Sequence, residues 1–170
     1  FCYKRVLYFW EMKIKDITKY LEGIAPISLQ ENYDNCGLII GDYESNINSA
    51  LITLDCTESV IDEAIEQNCN LVISHHPLIF SPVKKINGSN YIERTIIKAI
   101  KNDIAVYALH TNLDNVKNGV NGKIAEMLEL KNTSVLSLKE DQLRQLVFYC
   151  PKKYVNNIKN ALFKEGAGSF

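Results

Sequence analysis

The chain has 170 residues, about one domain's length, with 46% hydrophobic and 23% charged residues, the balance of an ordinary globular protein rather than a disordered or fibrous one. Nineteen basic against twenty acidic residues leave a formal charge of −1, too even to hold a nucleic-acid backbone or an anionic membrane by its overall field. No stretch approaches the roughly 18 to 20 apolar residues that cross a bilayer. The five cysteines are scattered without a Cys-x-x-Cys pair, which fits reduced thiols and a cytoplasmic protein rather than a disulfide framework or structural zinc site.

Residues 1–11 precede Met12-Lys-Ile-Lys, a natural beginning, and are expected to be an upstream extension. The apolar run Val6–Trp10 is shorter than the roughly 7 to 15 residues of a signal-peptide core. Ile14, Ile17, Leu21 and Ile24 then fall at helical spacing, and Pro26 ends that element. Gly37–Gly41 and Ala50–Leu54 read as short buried strands. Asp55 or Thr57 can cap a helix whose inner face is Val60, Ile61, Ala64 and Ile65.

Leu71–Ser74 is a further buried strand, broken by His75-His76-Pro77. A helix near Tyr91–Asn102 and a strand Ile104–Leu109, ending at His110, complete a second β-α-β unit. Asn112–Asn118 reads as polar loop and Val120–Leu128 as helix. After a polar boundary at Lys131–Gln142, Gln145–Cys150 reads as a strand and Val155 to Leu162 as a helix. Strands alternating with helices predict an α/β fold with a largely parallel sheet and helices on both faces. Such sheets hold ligands beyond the carboxyl ends of their strands.

All three histidines stand at those ends. His75, His76 and His110, with Asp114 four residues after His110, offer the imidazole and carboxylate donors of a borderline divalent ion. Adjacent strand residues face opposite ways, so His75 and His76 can share a site only if the backbone turns, as Pro77 requires. The arrangement suits one ion on each histidine with Asp114 between them, two ions roughly 3.5 to 4 Å apart holding a hydroxide. The competing view is that His75 and His76 cap a loop and His110 is a hydrogen-bonded core residue. Asp34 and Asn35 are either turn formers or residues at the site mouth, and Asp55 is either a cap or a carboxylate on the ligand-bearing edge. Cys36 and Cys56 read as small core residues rather than nucleophiles. Gly119-Val-Asn-Gly122 lacks the spacing of a phosphate loop and reads as a helix start.

Asp34-Asn-x-Gly-Leu38, Ser74-His-His-Pro-Leu78 and His110-Thr-Asn-Leu-Asp114 with Gly119-Val-Asn121 resemble, in order, the motifs of the NGG-interacting-factor-three-like proteins, also catalogued as GTP cyclohydrolase I type 2 homologues. The resemblance runs from about Met12 to Leu130 and implies a dinuclear centre of two divalent ions (Zn, Fe or Mn) with subunits often in a toroidal hexamer. It makes His75 and His76 metal ligands, Asp114 a ligand able to bridge the ions, and His110 a ligand or an acid/base and orienting residue. The family pattern usually has Trp where this chain has Tyr33, and it completes its site with a later His and Glu that this sequence does not contain.

Longer members carry a ferredoxin-like insert similar to the PII and CutA proteins, whose first strand and helix the stretch from Leu146 through Gly168 resembles. Residues 12–138 are thus expected to be the first half of a split metal-binding domain and 139–170 the linker and start of the insert. The expected function is a two-metal hydrolase of unknown small-molecule substrate, in which a bridging hydroxide attacks and His110 moves a proton. A non-catalytic regulatory or metal-chaperone protein is the alternative. Homo-oligomerisation is expected, with no membrane or nucleic-acid partner.

Overall fold

A computed structural model describes residues 5–137 and 146–168; the polar boundary after residue 137, Gln145 and the chain ends lie outside the described residues. Contacts divide the chain into two units, Phe1–Leu136 and Ser137–Phe170.

The first unit is a mixed five-stranded sheet in the order β1-β3-β4-β5-β2, with β1 at Arg5–Lys13, β2 at Gly37–Ile40, β3 at Asn46–Thr53, β4 at Leu71–Ser74 and β5 at Ala105–Ala108. The helices of this unit are α1 (Ile14–Ile24), α2 (Glu58–Glu66), α3 (Tyr91–Lys101), α4 (Thr111–Asn115) and α5 (Val120–Met127). Parallel pairing occurs between β3 and β4 and between β4 and β5, the pairs joined through α2 and α3. A parallel neighbour needs such a crossover. Both edges are antiparallel, β1 on β3 and β2 on β5, so the parallel character belongs to the centre of the sheet. Residues 5–11, expected as an upstream extension, run within edge strand β1, which pairs with β3 from Arg5 opposite Ile52 to Lys13 opposite Asn46.

Alternation along the central strands sends their apolar side chains to two cores. Leu51, Val72 and Val106 pack with Val60, Ile61 and Ala64 of α2 and Ile96 and Ala99 of α3. Ala50, Leu71, Ile73, Ala105 and Tyr107 pack on the other face with Ile14 and Ile17 of α1. Helices therefore cover both faces.

Two expectations need correction. Asn112–Asn118 is only partly loop, because α4 forms at Thr111–Asn115 around Asn112. That amide is fully buried yet satisfied: Asn112 Nδ2 donates to the Ala25 carbonyl at 2.7 Å, and its Oδ1 accepts the His110 N–H at 3.0 Å. In the second unit residues 146–150 form no strand, since a strand exists only through a ladder and none of the strands among the described residues lies in that unit. That unit contains helix α6 at Val155–Lys164. Among the described residues no helix is long and apolar enough to cross a membrane.

Helix α3, which carries the chain from β4 to β5, starts at a polar knot. Asn90 Oδ1 accepts the Glu93 N–H at 2.9 Å, while the Glu93 carboxylate accepts the N–H groups of Ser89 at 2.9 Å and Asn87 at 3.2 Å. The bonds to the carboxylate, the Ser89 N–H foremost, outweigh burial and hold the Glu93 pKa below its usual value. A group whose pKa falls on folding stabilises fully above its unfolded value, here 4.5, and loses that stabilisation as the pH falls through the folded value. Glu93→Gln is therefore expected to lower the chemical-denaturation midpoint at pH 7, and the gap from wild type to shrink below pH about 4.5. A gap unchanged between pH 7 and 3 would contradict this account.

Candidate metal centre

The parallel register of β4 and β5 sets Ser74 opposite Ala108, so both strands run out on one edge. His75 and His76 leave β4 there, their N–H groups donating to the carbonyls of Thr53 at 3.2 Å and Leu54 at 2.9 Å. Ser74 Oγ donates to the His76 carbonyl at 2.9 Å, folding the chain just before Pro77. This turn overrides the strand alternation, and the His75 and His76 ring centroids stand 5.0 Å apart. His110, two residues beyond β5, completes a triangle at 5.3 Å from His75 and 5.5 Å from His76. One ring nitrogen from each of the three lies within 4.8 Å of the others.

Each imidazole is held from behind through Nδ1. His75 Nδ1 lies 2.8 Å from the Leu109 carbonyl, His76 Nδ1 2.7 Å from Asp55 Oδ1, and His110 Nδ1 2.8 Å from Asp34 Oδ1. A carbonyl or ionised carboxylate can only accept, so Nδ1 is the protonated nitrogen in all three. Nε2 is then the nitrogen through which each ring could meet an ion. This is the arrangement by which proteins fix the tautomer and aim of imidazole ligands.

The supports differ in strength. The Asp34 side chain is 0% exposed and also accepts from the Thr111 N–H at 3.0 Å, the Thr111 hydroxyl, the Asn35 N–H at 2.7 Å and the Cys36 thiol at 3.1 Å. Burial pushes its pKa up, but the donors, His110 first among them, outweigh burial and hold it well below the usual carboxylate range. Asp55 is 57% exposed, and its carboxylate meets the His76 ring; the cap of α2 is the Thr57 hydroxyl, which accepts the Val60 N–H.

Asp114 stands at the margin, its Oδ1 3.9 Å from His75 Nε2. Its backbone is fixed by α4, where its N–H donates to the His110 carbonyl at 3.2 Å, and by Asn121 Nδ2 donating to its own carbonyl at 3.0 Å. Gly119 permits that closeness, for a Cβ there would lie 1.7 Å from the Leu113 carbonyl oxygen. The Gly-Val-Asn segment thus starts α5 and braces Asp114 rather than cradling a phosphate.

Among the residues singled out in sequence, His75, His76 and His110 come together, Asp114 borders His75, and Asp34 and Asp55 prove to be the carboxylates behind two of the rings. Asn35 also belongs to the edge, its Nδ2 donating to the Ile79 carbonyl at 2.6 Å. Sequence reasoning missed Thr111 and Asn112; only their position beside His110 pointed to them. Cys56 is a buried thiol pushed up to about 12 by burial, and burial raises the half-buried Cys36 as well. Neither is poised as a thiolate nucleophile.

The Duf34/NIF3 (NGG1p interacting factor 3) family model matches residues 12–167. The GTP cyclohydrolase 1 type 2 homolog of Clostridium acetobutylicum is 43% identical over 134 residues, covering 79% of this chain and 50% of its own length. The protein of the same name from Bacillus subtilis is 44% identical over 155 residues, covering 91% and 42%. Among solved structures, a Bacillus cereus protein related to NIF3 superposes with a TM-score of 0.71 at 44% identity, over 76% of this chain and 35% of that one. Reduced HcgD from Methanocaldococcus jannaschii gives 0.65 at 35%, over 72% and 49%. The chain spans about half the length, or less, of the curated relatives it matches. With a matched region that takes in every residue of the histidine edge, the chain belongs to the Duf34/NIF3 family.

Proposed function

We propose that His75, His76 and His110 hold divalent metal with Asp114 at the margin of the centre, and that the protein is a two-metal hydrolase of a small-molecule substrate. The observation that carries this reading is the common anchoring of all three Nδ1 atoms in a cluster where one ring nitrogen of each histidine lies within 4.8 Å of the others. Imidazoles with a nearby carboxylate fit Zn, Fe or Mn by donor chemistry. Divalent ions bound there would supply Lewis acidity and lower the pKa of water near neutral pH. Of the two roles the family resemblance leaves open for His110, ligand is the one its geometry supports, because its ring is held in the same manner as the other two. Asp34 then acts as the group that orients it.

The same reading takes residues 12–138 as the first half of a split metal domain and 139–170 as the linker and opening of an insert, with assembly as a homohexamer in the cytoplasm. Free Cys36, Cys56, Cys69 and Cys150 among the described residues are consistent with a reducing compartment. A second reading, ion storage or delivery without catalysis, is favoured by the openness of the His76–Asp55 side, where the two side chains are 47% and 57% exposed.

Elemental analysis of metal-depleted and reconstituted protein tests the centre. His76→Ala and Asp114→Ala are each expected to lower the metal bound per chain, and unchanged content in both would defeat the ligand assignment. Asp55→Asn, which keeps the shape but weakens the support of His76, is expected to reduce metal affinity by about 10- to 100-fold in a competition titration. An affinity equal to wild type would show that Asp55 does not tune the ring. For the reaction, turnover in a hydrolase substrate screen is expected to rise and fall with metal occupancy. Tight metal binding without turnover would favour storage or delivery instead.

A further inference from the structure

Next to the three imidazoles stand two aromatic rings that metal binding leaves unused. The Phe80 ring lies 6.1 Å from that of His110 and almost perpendicular to it, at 84°. Tyr33 lies 6.2 Å from Phe80 at 57°, so the two rings make an open corner whose inner end is His110. Both remain accessible, Phe80 at 47% and Tyr33 at 66%. A single exposed aromatic residue is ordinary, but these two meet each other, and Phe80 meets the His110 ring.

They are also fixed relative to it. Leu78 is buried in the α2–α3 core and Ile79 packs against that core, which anchors the segment that presents Phe80. Asn35 Nδ2 donates to the Ile79 carbonyl at 2.6 Å, tying the Tyr33 loop to the Phe80 loop. Between Tyr33 and Asn35, Asp34 accepts from His110 at 2.8 Å. The turn at residues 33–35 therefore ties the segment that carries Phe80 and the His110 ring to one another. The His76 and His75 rings have the carboxylates of Asp55 and Asp114 beside them, whereas His110, with Asp34 behind it, has an aromatic neighbour in Phe80.

We propose that Tyr33 and Phe80 are a stacking platform, and that the ligand of this site is a small molecule carrying a planar ring with a metal-ligating group beside it. The inference rests on the metal-centre reading above. A planar ring can lie against one aromatic face while its edge meets the other, the offset and tilted arrangements that ring quadrupoles favour. Its ligating atoms then point to the three Nε2 atoms, giving the mix of aromatic wall and few convergent polar groups typical of small-molecule sites. A saturated group of equal bulk gains apolar contact there but not this stacking.

The test compares three metal-binding probes on the zinc-loaded protein by calorimetry: benzohydroxamate, cyclohexanecarbohydroxamate and acetohydroxamate. Wild type is expected to bind benzohydroxamate about three- to tenfold more tightly than the cyclohexane analogue, and that analogue no more weakly than acetohydroxamate. In Phe80→Leu and Tyr33→Leu, both at exposed positions, the benzo-to-cyclohexane ratio is expected to fall towards about one. Because the readout is a ratio, any change in metal affinity common to the probes cancels. If hydroxamates bind but the ratio is near one in wild type, or survives in both variants, the platform is refuted while the metal centre stands. If zinc loads and no hydroxamate binds, the platform is likewise refuted. If zinc does not load, the metal-centre reading fails and the platform falls with it.

Discussion

The parallel pairing of β4 with β5 is the constraint on which the histidine edge depends. It sets Ser74 beside Ala108, and the Leu109 N–H donates to the Ser74 carbonyl at 2.9 Å, so the two strands end together and release His75 and His110 on the same side. The Leu109 carbonyl then holds His75 Nδ1, which makes the residue preceding one histidine the support of another. A register slip of one residue would turn the side chains of a strand to the opposite face and break that relation. The fully buried, close-packed strand residues on both faces make such a slip costly. The packing that stabilises the sheet therefore also fixes the geometry of its carboxyl edge.

Much of this was legible in the sequence for a physical reason: helices α1, α2 and α3 bury one stripe at helical spacing and β4 and β5 are continuous apolar runs, so local pattern suffices to place them. The histidines were legible because they follow those runs directly. Partnerships between distant segments were not. Asp34 lies 76 residues from His110, and an Asp in a turn satisfies local N–H groups equally well; it does both, holding the Asn35 N–H as well as His110. Asp55 posed the same ambiguity at the start of α2, which Thr57 resolved by taking the cap. Helix α4 was missed because polarity over Asn112–Asn118 signals loop, whereas Asn112 is buried with its amide paired to Ala25. The antiparallel edges were equally hidden, since the position of β2 beside β5 depends on a long return of the chain that no local pattern encodes.

The carboxylates behind His110 and His76 are alike in chemistry and opposite in setting. Asp34 is buried among five donor groups that share its negative charge, so its position, and through it the His110 ring, is over-determined. Asp55 meets His76 in solvent, where screening weakens a charged hydrogen bond and the side chain keeps freedom to leave. One corner of the triangle is thus rigid and one is soft, with His75 between them on a backbone carbonyl that moves only if the sheet does. In the proposed centre the rigid side shares its frame with the aromatic corner, through Asp34 and its neighbours Tyr33 and Asn35. Substrate position would then be set against His110, while the His76 side could adjust its ring as an ion is taken up. A single turn, residues 33–35, would link the orientation of a ligand to the orientation of a metal-binding imidazole, without any residue of the turn having to contact the metal.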